Sequence, residues 1–258
     1  MSLPASLAAR LERELRRDNR GLLAILDFDG TLSPTVAAPA AARLAPAMRK
    51  RLARLARSPR ARIAVLSGRG LGDLRRRVGL PGLVYGGCHG LEIAGAGLCF
   101  RHPRARRSRV AAASRMLAAG AAAIPGVRVE FKGLAVSFHY RDVRPGRRRA
   151  AHALVRRVAR ELPELMLVPG QCAYDFVPRV GWDKGSAVRW IARRLRPGRG
   201  RSVVLYVGDD VTDERAFAAL AGRGMTIRVG GARTAADYAV RGVGDVAELL
   251  ELAVRLIG

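Results

Sequence analysis

The sequence predicts an α/β fold, with a Rossmann-like parallel-sheet core interrupted by an inserted α+β cap (lid) domain. Towards both ends of the chain, short apolar runs alternate with amphipathic helical stretches, which is typical of a parallel sheet covered by helices. The middle has strand-like runs on both sides of one helix, which is typical of an antiparallel α+β unit. We therefore expect a core of residues 1–104 and 179–258 and a cap of residues 105–178.

The core elements follow from the spacing of apolar residues. Short, uninterrupted apolar runs predict buried strands, and apolar residues three or four positions apart predict amphipathic helices. The expected strands are 22–27, 62–66, 83–87, 202–210 and 225–230. The expected helices are 43–57, 71–78, 212–221 and 245–257, together with a short charged helix near the N-terminus.

The cap elements come from a region rich in Val, Phe and Tyr. Residues 127–143 contain strand-like runs, including an alternating stretch from Leu134 to Tyr140. Residues 147–162 predict a helix, and residues 165–178 predict a hairpin.

The net charge of +26 raises the alternative of a nucleic-acid-binding or anion-binding module. Of the 47 basic residues only Lys50, Lys132 and Lys184 are lysines. The arginines are spread along the chain without a basic tail or interleaved aromatic residues, so we expect a solvated basic surface and no nucleic-acid partner. A positive field would still attract an anionic substrate.

The apolar segments predict a protein without a membrane partner. No run approaches about 18 uncharged apolar residues, and the first 20 residues lack the apolar core of a signal peptide. The three cysteines are scattered and odd in number, which favours a reducing, cytoplasmic location over a disulfide framework or a zinc site.

Polar clusters lie at the expected carboxyl ends of the parallel strands, where active sites of such sheets are found. They are Asp27 with Asp29, Ser67, Lys184, and the group of Asp209, Asp210 and Asp213. Clustered carboxylates repel one another unless a cation is present, and hard oxygen ligands favour Mg²⁺. Taken one at a time, these patterns would also suit turns and helix caps.

The two carboxylates of LDFDGTLSPT (26–35) can divide the work of phosphoryl transfer. Asp27 can attack phosphorus as a nucleophile, and Asp29 can protonate the leaving oxygen and later activate water. Gly30 and Thr31 suit a tight loop whose N–H groups and hydroxyl face a phosphate.

Four dispersed motifs resemble the haloacid-dehalogenase-like phosphohydrolase superfamily. They are DFDGTL (27–32), LSGR (66–69), DKG (183–185) and GDDVTDE (208–214). The resemblance implies that Asp27 is the nucleophile, that Asp29 is the acid/base, and that Ser67 and Lys184 hold the phosphoryl group. It also implies Mg²⁺ on Asp27, Asp209 and the backbone carbonyl of Asp29, supported by Asp213, with Gly68 and Arg69 in the phosphate loop.

A narrower resemblance is to the trehalose-6-phosphate phosphatase family. It rests on GDDVTDE, on GGCHGLE (86–92) and on the cap stretch EFKGLAVSFHYR (130–141). It implies hydrolysis of trehalose 6-phosphate and a possible functional coupling to a trehalose-phosphate synthase. The implied substrate-binding residues are His89, Glu92, Glu130, Lys132, His139 and Arg141.

One stretch departs from the pattern of that family. The family usually has a lysine and, four residues later, a glutamate that bind the distal glucose, whereas GQCAYDFVP (170–178) has Gln171 and Asp175. Both remain candidate substrate-binding residues. The departure leaves open another sugar-phosphate phosphatase of the superfamily. A separate alternative is an inactive partner subunit of a synthase complex, against which the intact Asp27 and Asp29 argue.

Overall fold

The computed structural model of the chain describes residues 3–36, 39–170, 172–195, 197 and 202–257. Within them, the strands form two separate sheets. One sheet has eight strands and is mostly parallel, and the other has four antiparallel strands. This arrangement confirms the predicted α/β fold with a parallel-sheet core and an α+β cap.

The eight-stranded sheet has the order β12-β11-β10-β1-β2-β3-β4-β5. Its six strands from β12 to β3 are parallel, and β4 and β5 join antiparallel at one edge. The strands are β1 (Gly21–Leu26), β2 (Ala61–Leu66), β3 (Val84–Gly87), β4 (Glu92–Gly95), β5 (Leu98–Arg101), β10 (Ser202–Gly208), β11 (Met225–Val229) and β12 (Tyr238–Val240).

Strand β1 lies at the centre of this sheet, between β2 and β10, and all six of its residues are buried. Alternate side chains enter opposite layers, because successive residues of a strand point to opposite faces. Leu22, Ala24 and Leu26 pack in one apolar cluster. Leu23 and Ile25 pack in another on the opposite face. A strand covered on both faces therefore reads as an unbroken apolar run.

Helices supply the two layers that cover this sheet. They are α1 (Ala5–Arg16), α2 (Pro46–Arg57), α3 (Leu71–Val78), α6 (Lys184–Arg194), α7 (Glu214–Leu220) and α8 (Val243–Ile257). Leucines of α1, α2 and α8 contribute to the first cluster, and apolar residues of α6 and α7 contribute to the second. In the described part of the chain, no helix combines the length and apolarity needed to cross a membrane.

The four-stranded sheet has the order β6-β7-β9-β8 and carries two helices on one face. Its apolar cluster includes Val110, Leu117, Phe138, Leu154 and Phe176. Its elements are α4 (Arg107–Ala121), β6 (Arg128–Phe131), β7 (Val136–His139), α5 (Arg148–Glu161), β8 (Leu165–Gly170) and β9 (Ala173–Pro178).

Four elements differ from the sequence-based expectations. Helix α4 was not expected, because its run of alanines and arginines has little contrast between apolar and polar faces, although Val110, Ala113 and Leu117 are buried. The β4–β5 hairpin was not expected because its strands have four residues each and most of their side chains are only partly buried. Strand β12 has three residues, too few for a periodic signal.

Two chain segments connect the sheets, at residues 102–106 and 179–183. The crossings lie side by side, since the Arg104 guanidinium donates from Nη2 to the carbonyl of Val180 over 2.9 Å. Two adjacent connecting segments therefore hold the four-stranded sheet over the core. A cavity lies between the two sheets, at the carboxyl ends of β1, β2 and β10.

Candidate active site

The floor of the cavity is an ion-paired cluster of Asp27, Lys184 and Asp213. Asp27 directly follows β1 and is 4% exposed. Lys184 is the first residue of α6 and donates from Nζ to Oδ1 of Asp27 and to Oδ1 of Asp213, both over 2.7 Å. Burial alone would lower the pKa of Lys184, but Asp213 and Asp27 outweigh it and raise the pKa, so the ammonium stays charged.

The Asp213 carboxylate is fixed by four donors. Besides Lys184, these are the Tyr206 hydroxyl and the backbone N–H groups of Asp209 and Asp210. Its side chain is 0% exposed. A carboxylate held in this way carries a structural charge that orients Lys184 towards Asp27.

The donor set fits a divalent cation. Carboxylate oxygens of Asp27, Asp209 and Asp213 all lie within 4.8 Å of one another. Burial is the main cause, and the charge of Asp213 the second, that raises the pKa of Asp209 to about 7. Burial also raises the pKa of Asp27 well above its ordinary value, and Lys184 only partly opposes this. These carboxylates lack sufficient positive charge around them, which is what a bound Mg²⁺ would supply.

The loop after β1 turns sharply under Asp209. Gly30 has a φ of +76°, and its N–H donates to the carbonyl of Ser33 over 2.7 Å. A Cβ at Gly30 would overlap the carboxylate of Asp209. The Thr31 hydroxyl lies 3.4 Å from Oδ1 of Asp209, so this loop touches the acidic cluster directly.

The loop after β2 brings Ser67, Gly68 and Arg69 to the same place. The Ser67 N–H continues the sheet ladder to the carbonyl of Gly86, and the Ser67 hydroxyl accepts from the Arg69 N–H over 3.2 Å. Ser67 is 2% exposed but lines the cavity. The Arg69 guanidinium pairs with Asp29 at 2.6 Å and with Asp73 at 3.1 Å.

The cavity has a volume of about 590 Å³, within the usual range for small-molecule sites. Its floor comes from the large sheet and its roof from the small one. Of the sequence-predicted residues, it is lined by Asp27, Asp29, Ser67, Gly68, Arg69, His89, Glu130, Lys132, His139, Arg141, Asp175, Lys184 and Asp209.

Asp175 and Lys132, both from the roof, meet the floor directly. Lys132 donates from Nζ to the carbonyl of Gly68 over 3.2 Å and lies 3.5 Å from Oδ1 of Asp175. Asp175 also pairs with His89, whose Nε2 is 3.0 Å from Oδ2, and accepts from the Ser137 hydroxyl. Burial alone would raise the pKa of Asp175, but Lys132, His89 and Ser137 outweigh it and hold the pKa well below its ordinary value.

The orientation of His89 depends on three consecutive residues with positive φ. Cys88, His89 and Gly90 have φ values of +49°, +58° and +86°. Two adjacent non-glycine residues in the left-handed region store strain, which persists where the surroundings fix it. A Cβ at Gly68 would lie 2.8 Å from the His89 ring, so the turn packs the imidazole onto the loop after β2.

The other predicted substrate-binding residues are placed differently. Glu130 and His139 pair across β6 and β7, and the His139 hydrogen bond is the main reason that the pKa of Glu130 is lowered. Glu92 is not brought to the cavity: it pairs with Arg101 at 2.9 Å, and its substrate role stays a prediction without geometric support. Gln171 lies outside the described residues.

Ser137, Val211 and Tyr206 are among the contributors that the sequence did not point to. Ser137 bonds Asp175, and its signal was the alternation of β7, which puts it on the same face as His139. Val211 lines the cavity and is 68% exposed, inside the GDDVTDE motif. Tyr206 is buried within β10 and had no signal beyond its apolar run.

The fold, with its capped parallel sheet and acidic residues after the first strand, is shared with solved haloacid-dehalogenase-like hydrolases. A solved haloacid dehalogenase-like hydrolase from Bacteroides thetaiotaomicron shares this fold, with a TM-score of 0.65 at 16% identity over 90% of this chain and 98% of the other. The C-terminal domain of Candida albicans trehalose-6-phosphate phosphatase is more similar, with a TM-score of 0.84 at 21% identity over 99% and 98%.

Within that class, the chain belongs to the trehalose-phosphatase family, whose model matches residues 25–241. The trehalose-phosphate phosphatase of Mycobacterium tuberculosis strain H37Rv is 38% identical over 242 residues, which are 89% of this chain and 60% of that protein. The Mycobacterium avium protein of the same name is 38% identical over 237 residues, 87% and 60%. The chain thus spans about 60% of the length of these curated relatives.

Proposed function

We propose that this chain is a Mg²⁺-dependent phosphomonoesterase that hydrolyses trehalose 6-phosphate to trehalose and phosphate through an aspartyl-phosphate intermediate. Membership of the trehalose-phosphatase family supports the substrate. The observation that carries the chemistry is the contact of Lys184 with Asp27 and Asp213, beside Asp209, at the floor of a capped cavity.

Mg²⁺ would be held by Asp27, Asp209 and the backbone carbonyl of Asp29, with Asp213 as acidic support. When bound, it supplies positive charge that allows a phosphate to approach the carboxylates and stabilises the charge that develops on the phosphoryl group.

In the first step, an Asp27 carboxylate oxygen attacks phosphorus and the bond from phosphorus to the sugar oxygen breaks. Asp29 gives its proton to that oxygen, so trehalose leaves as a neutral alcohol. Ser67 and Lys184 hold the phosphoryl oxygens. In the second step, water attacks phosphorus, Asp29 takes the proton of the water, and Asp27 is released with inorganic phosphate.

The four-stranded sheet works as a lid over this chemistry. It must open to admit the substrate, and on closing it limits the access of water before trehalose has left. Its polar residues at the cavity, among them Glu130, Lys132, His139 and Arg141, would select the sugar. Catalytic floor and selective roof can then be tested separately.

The test is phosphate release with Mg²⁺ at matched concentrations of trehalose 6-phosphate, glucose 6-phosphate, sucrose 6-phosphate, glucosyl-phosphoglycerate and mannosyl-phosphoglycerate. We expect strong preference for trehalose 6-phosphate and no release by Asp27→Asn. No release from any of them by the folded wild-type chain would reject the proposal and favour an anion-binding or nucleic-acid-binding protein, which steeply salt-dependent binding would identify.

One observation favours a second candidate, a phosphatase for another sugar phosphate. Asp175 stands where the family usually has a glutamate for sugar binding, and its carboxylate is already engaged by Lys132, His89 and Ser137. A preference for another member of the substrate panel would keep the phosphoryl chemistry and make this position the source of the changed specificity.

We further propose a cytoplasmic location for the protein. The cysteines Cys88, Cys99 and Cys172 are unpaired in the described chain, which supports a reducing, cytoplasmic location. We propose a small-molecule sugar phosphate as the partner, with no nucleic acid, and a functional coupling to a trehalose-phosphate synthase that would supply the substrate.

A further inference from the structure

The Arg69 side chain forms a bidentate pair with the carboxylate of Asp29. Its Nε donates to Oδ2 over 2.7 Å and its Nη2 donates to Oδ1 over 2.6 Å. A bidentate pair of this kind fixes both the position and the plane of a carboxylate. The Asp29 side chain is 40% exposed, whereas that of Arg69 is 7% exposed, so the buried partner holds the exposed one in place.

Arg69 is itself anchored on the opposite side. Its Nη1 donates to Oδ2 of Asp73 over 3.1 Å, and the same oxygen accepts from Arg77 over 2.6 Å. Burial alone would raise the pKa of Asp73, but Arg77 and Arg69 outweigh it and lower the pKa. The guanidinium also lies 5.4 Å from the centre of the Phe28 ring. These contacts tie the loop after β1 to helix α3.

We propose that Arg69 is a positioning residue that orients the Asp29 carboxylate for proton transfer, and that Asp73 keeps Arg69 in place for this task. The inference rests on the proposed function, in which Asp29 is the acid/base. It gives Arg69 a different role from that of the phosphate-loop residue expected from the motif LSGR. Proton transfer needs donor and acceptor within hydrogen-bond reach, so an Asp29 free to rotate would transfer its proton less often.

The leaving group separates this role from a general structural one. A sugar oxygen is a poor leaving group and needs a proton as its bond to phosphorus breaks, whereas a nitrophenolate leaves without one. Loss of Asp29 orientation should therefore slow release of the sugar much more than release of nitrophenolate. A distorted phosphate site would slow both equally.

The experiment is single-turnover release of the leaving group from two substrates with Mg²⁺ present. One is the sugar phosphate that the wild-type chain hydrolyses fastest, and the other is 4-nitrophenyl phosphate. For Arg69→Gln we expect sugar release to fall about 100-fold and nitrophenolate release to fall less than about three-fold, since general acid catalysis contributes roughly that much. Arg69→Lys should recover part of the loss, because an ammonium can meet one oxygen but lacks the fork.

Asp73→Asn is a second test variant, in which Arg69 itself is unchanged. Its rate of sugar release should fall about ten-fold, less than in Arg69→Gln, and its rate of nitrophenolate release should again change little. Arg76→Gln is the control, since Arg76 also pairs with Asp73 but its side chain is 75% exposed; both rates should stay at the wild-type level. Circular dichroism and unfolding midpoints verify folding, and if Arg69→Gln does not fold, Asp73→Asn decides.

Equal losses on the two substrates, or no loss in Arg69→Gln, would overturn the positioning role while leaving the proposed function intact. A wild-type chain that releases nothing from either substrate would instead reject the proposed function itself, and this inference with it.

Discussion

The Asp27 carboxylate lies between one cation and two other acids. Lys184 bonds it directly, while Asp209 and Asp213 contribute carboxylate oxygens within 4.8 Å. The lysine keeps Asp27 oriented, but it also bonds Asp213, so one ammonium serves two carboxylates. The imbalance leaves a demand for positive charge, which the proposed Mg²⁺ would meet.

Replacing Asp27 tests the nucleophile. Asp27→Asn should lower kcat by on the order of 10⁴-fold or more, because an amide oxygen does not form the phosphoryl intermediate. The measurement is steady-state phosphate release together with phosphoryl labelling of the protein during turnover. Asp18→Asn, at a side chain that is 76% exposed, should behave as wild type. Labelling of the Asp27→Asn protein would contradict the assignment.

Metal binding should stabilise the acidic cluster. Because Mg²⁺ relieves repulsion that exists in the folded state, it should raise the free energy of unfolding by about 2.7 kcal/mol at 100 times its dissociation constant. The measurement is urea unfolding in EDTA and in MgCl₂. Asp209→Asn should lose most of this gain, and phosphate release should stop in EDTA and return with Mg²⁺. An equal gain in Asp209→Asn would place the bound ion elsewhere.

Gly30 offers a test of the turn below Asp209. Gly30→Ala combines a positive φ with overlap onto the Asp209 carboxylate, so kcat should fall about 100-fold as the cluster is displaced. Gly82→Ala is a matched control, with a φ of +77° and nothing within 4 Å of the added Cβ. It should cost about 1 kcal/mol of stability and leave kcat unchanged. Equal kcat values for the two variants would remove Gly30 from the site.

At the scale of elements, the roof strands meet the floor loops through charged side chains. Lys132, at the turn between β6 and β7, bonds the Gly68 carbonyl, and Asp175 of β9 bonds His89 after β3. These contacts connect the position of the lid to the loop that is expected to hold phosphate. The same few hydrogen bonds would therefore couple closure of the proposed lid to the conformation of that loop.

Lys132→Ala tests whether the roof selects the sugar. It should lower kcat/KM for the sugar phosphate by about 100-fold and for 4-nitrophenyl phosphate by less than ten-fold, because only the larger substrate spans the roof. Lys50→Ala, on the exposed side of α2, is the control and should change neither. Equal losses on both substrates would show that Lys132 serves the phosphate loop and not recognition.

Asp175→Asn tests the contact between β9 and the floor through its pH dependence. The pKa of Asp175 is lower in the folded protein than in the unfolded chain, where it is about 4. The ionised carboxylate therefore stabilises the folded state above about pH 4. This stabilisation is lost as the pH falls through the lower, folded-state pKa. Asp175→Asn should cost about 3 kcal/mol in urea unfolding at pH 7, since the buried ammonium of Lys132 loses its ion pair with Asp175. The difference from wild type should shrink below about pH 4.

Asp142→Asn is the matched control for this measurement. Its ion pair with Arg128 lies on the cap surface, with side chains 57% and 48% exposed, and should be worth less than about 1 kcal/mol. A cost for Asp175→Asn that is as small as this, or that stays constant down to pH 3, would contradict the buried pairing.

Periodicity and motif spacing predicted the parallel core and the meeting of its strand ends, because both follow from local pattern. They could not predict α4, where alanine serves as both core and surface residue. Nor could they predict that Asp175 pairs with His89, 86 positions away, since that contact depends on where the cap lies over the core. Long-range side-chain pairing is set by tertiary placement, which a single sequence does not encode in any short window.

At the scale of the whole molecule, a chain with a net charge of +26 has an acidic cluster at the floor of its cavity. A basic surface raises the local concentration of an anionic substrate, and the cavity concentrates that field where the phosphate must arrive. Under the proposed function, the surface arginines would act in attraction of the substrate and the acids of the floor in the chemistry.

Ionic strength separates these stages. Between about 0.01 M and 1 M salt at constant Mg²⁺, kcat/KM for the sugar phosphate should fall about ten-fold with kcat nearly unchanged, because screening weakens attraction but not the enclosed reaction. Trehalose is the control ligand: it is uncharged, so its inhibition constant as a product should not change with salt. A parallel rise in that constant would point to a general effect of salt on the protein.

The position of β1 between β2 and β10 has a consequence for the way the chain is synthesised. β2 follows β1 by about 40 residues, but β10 pairs with it in the register Gly21↔Ser202, after the whole four-stranded sheet has been made. A nascent chain leaving the ribosome therefore carries the hydrogen-bonding edge of β1 open until β10 has been made, a condition that favours aggregation or chaperone capture. Asp209 and Asp213 follow β10, so a nascent chain that has not yet reached them lacks the complete floor.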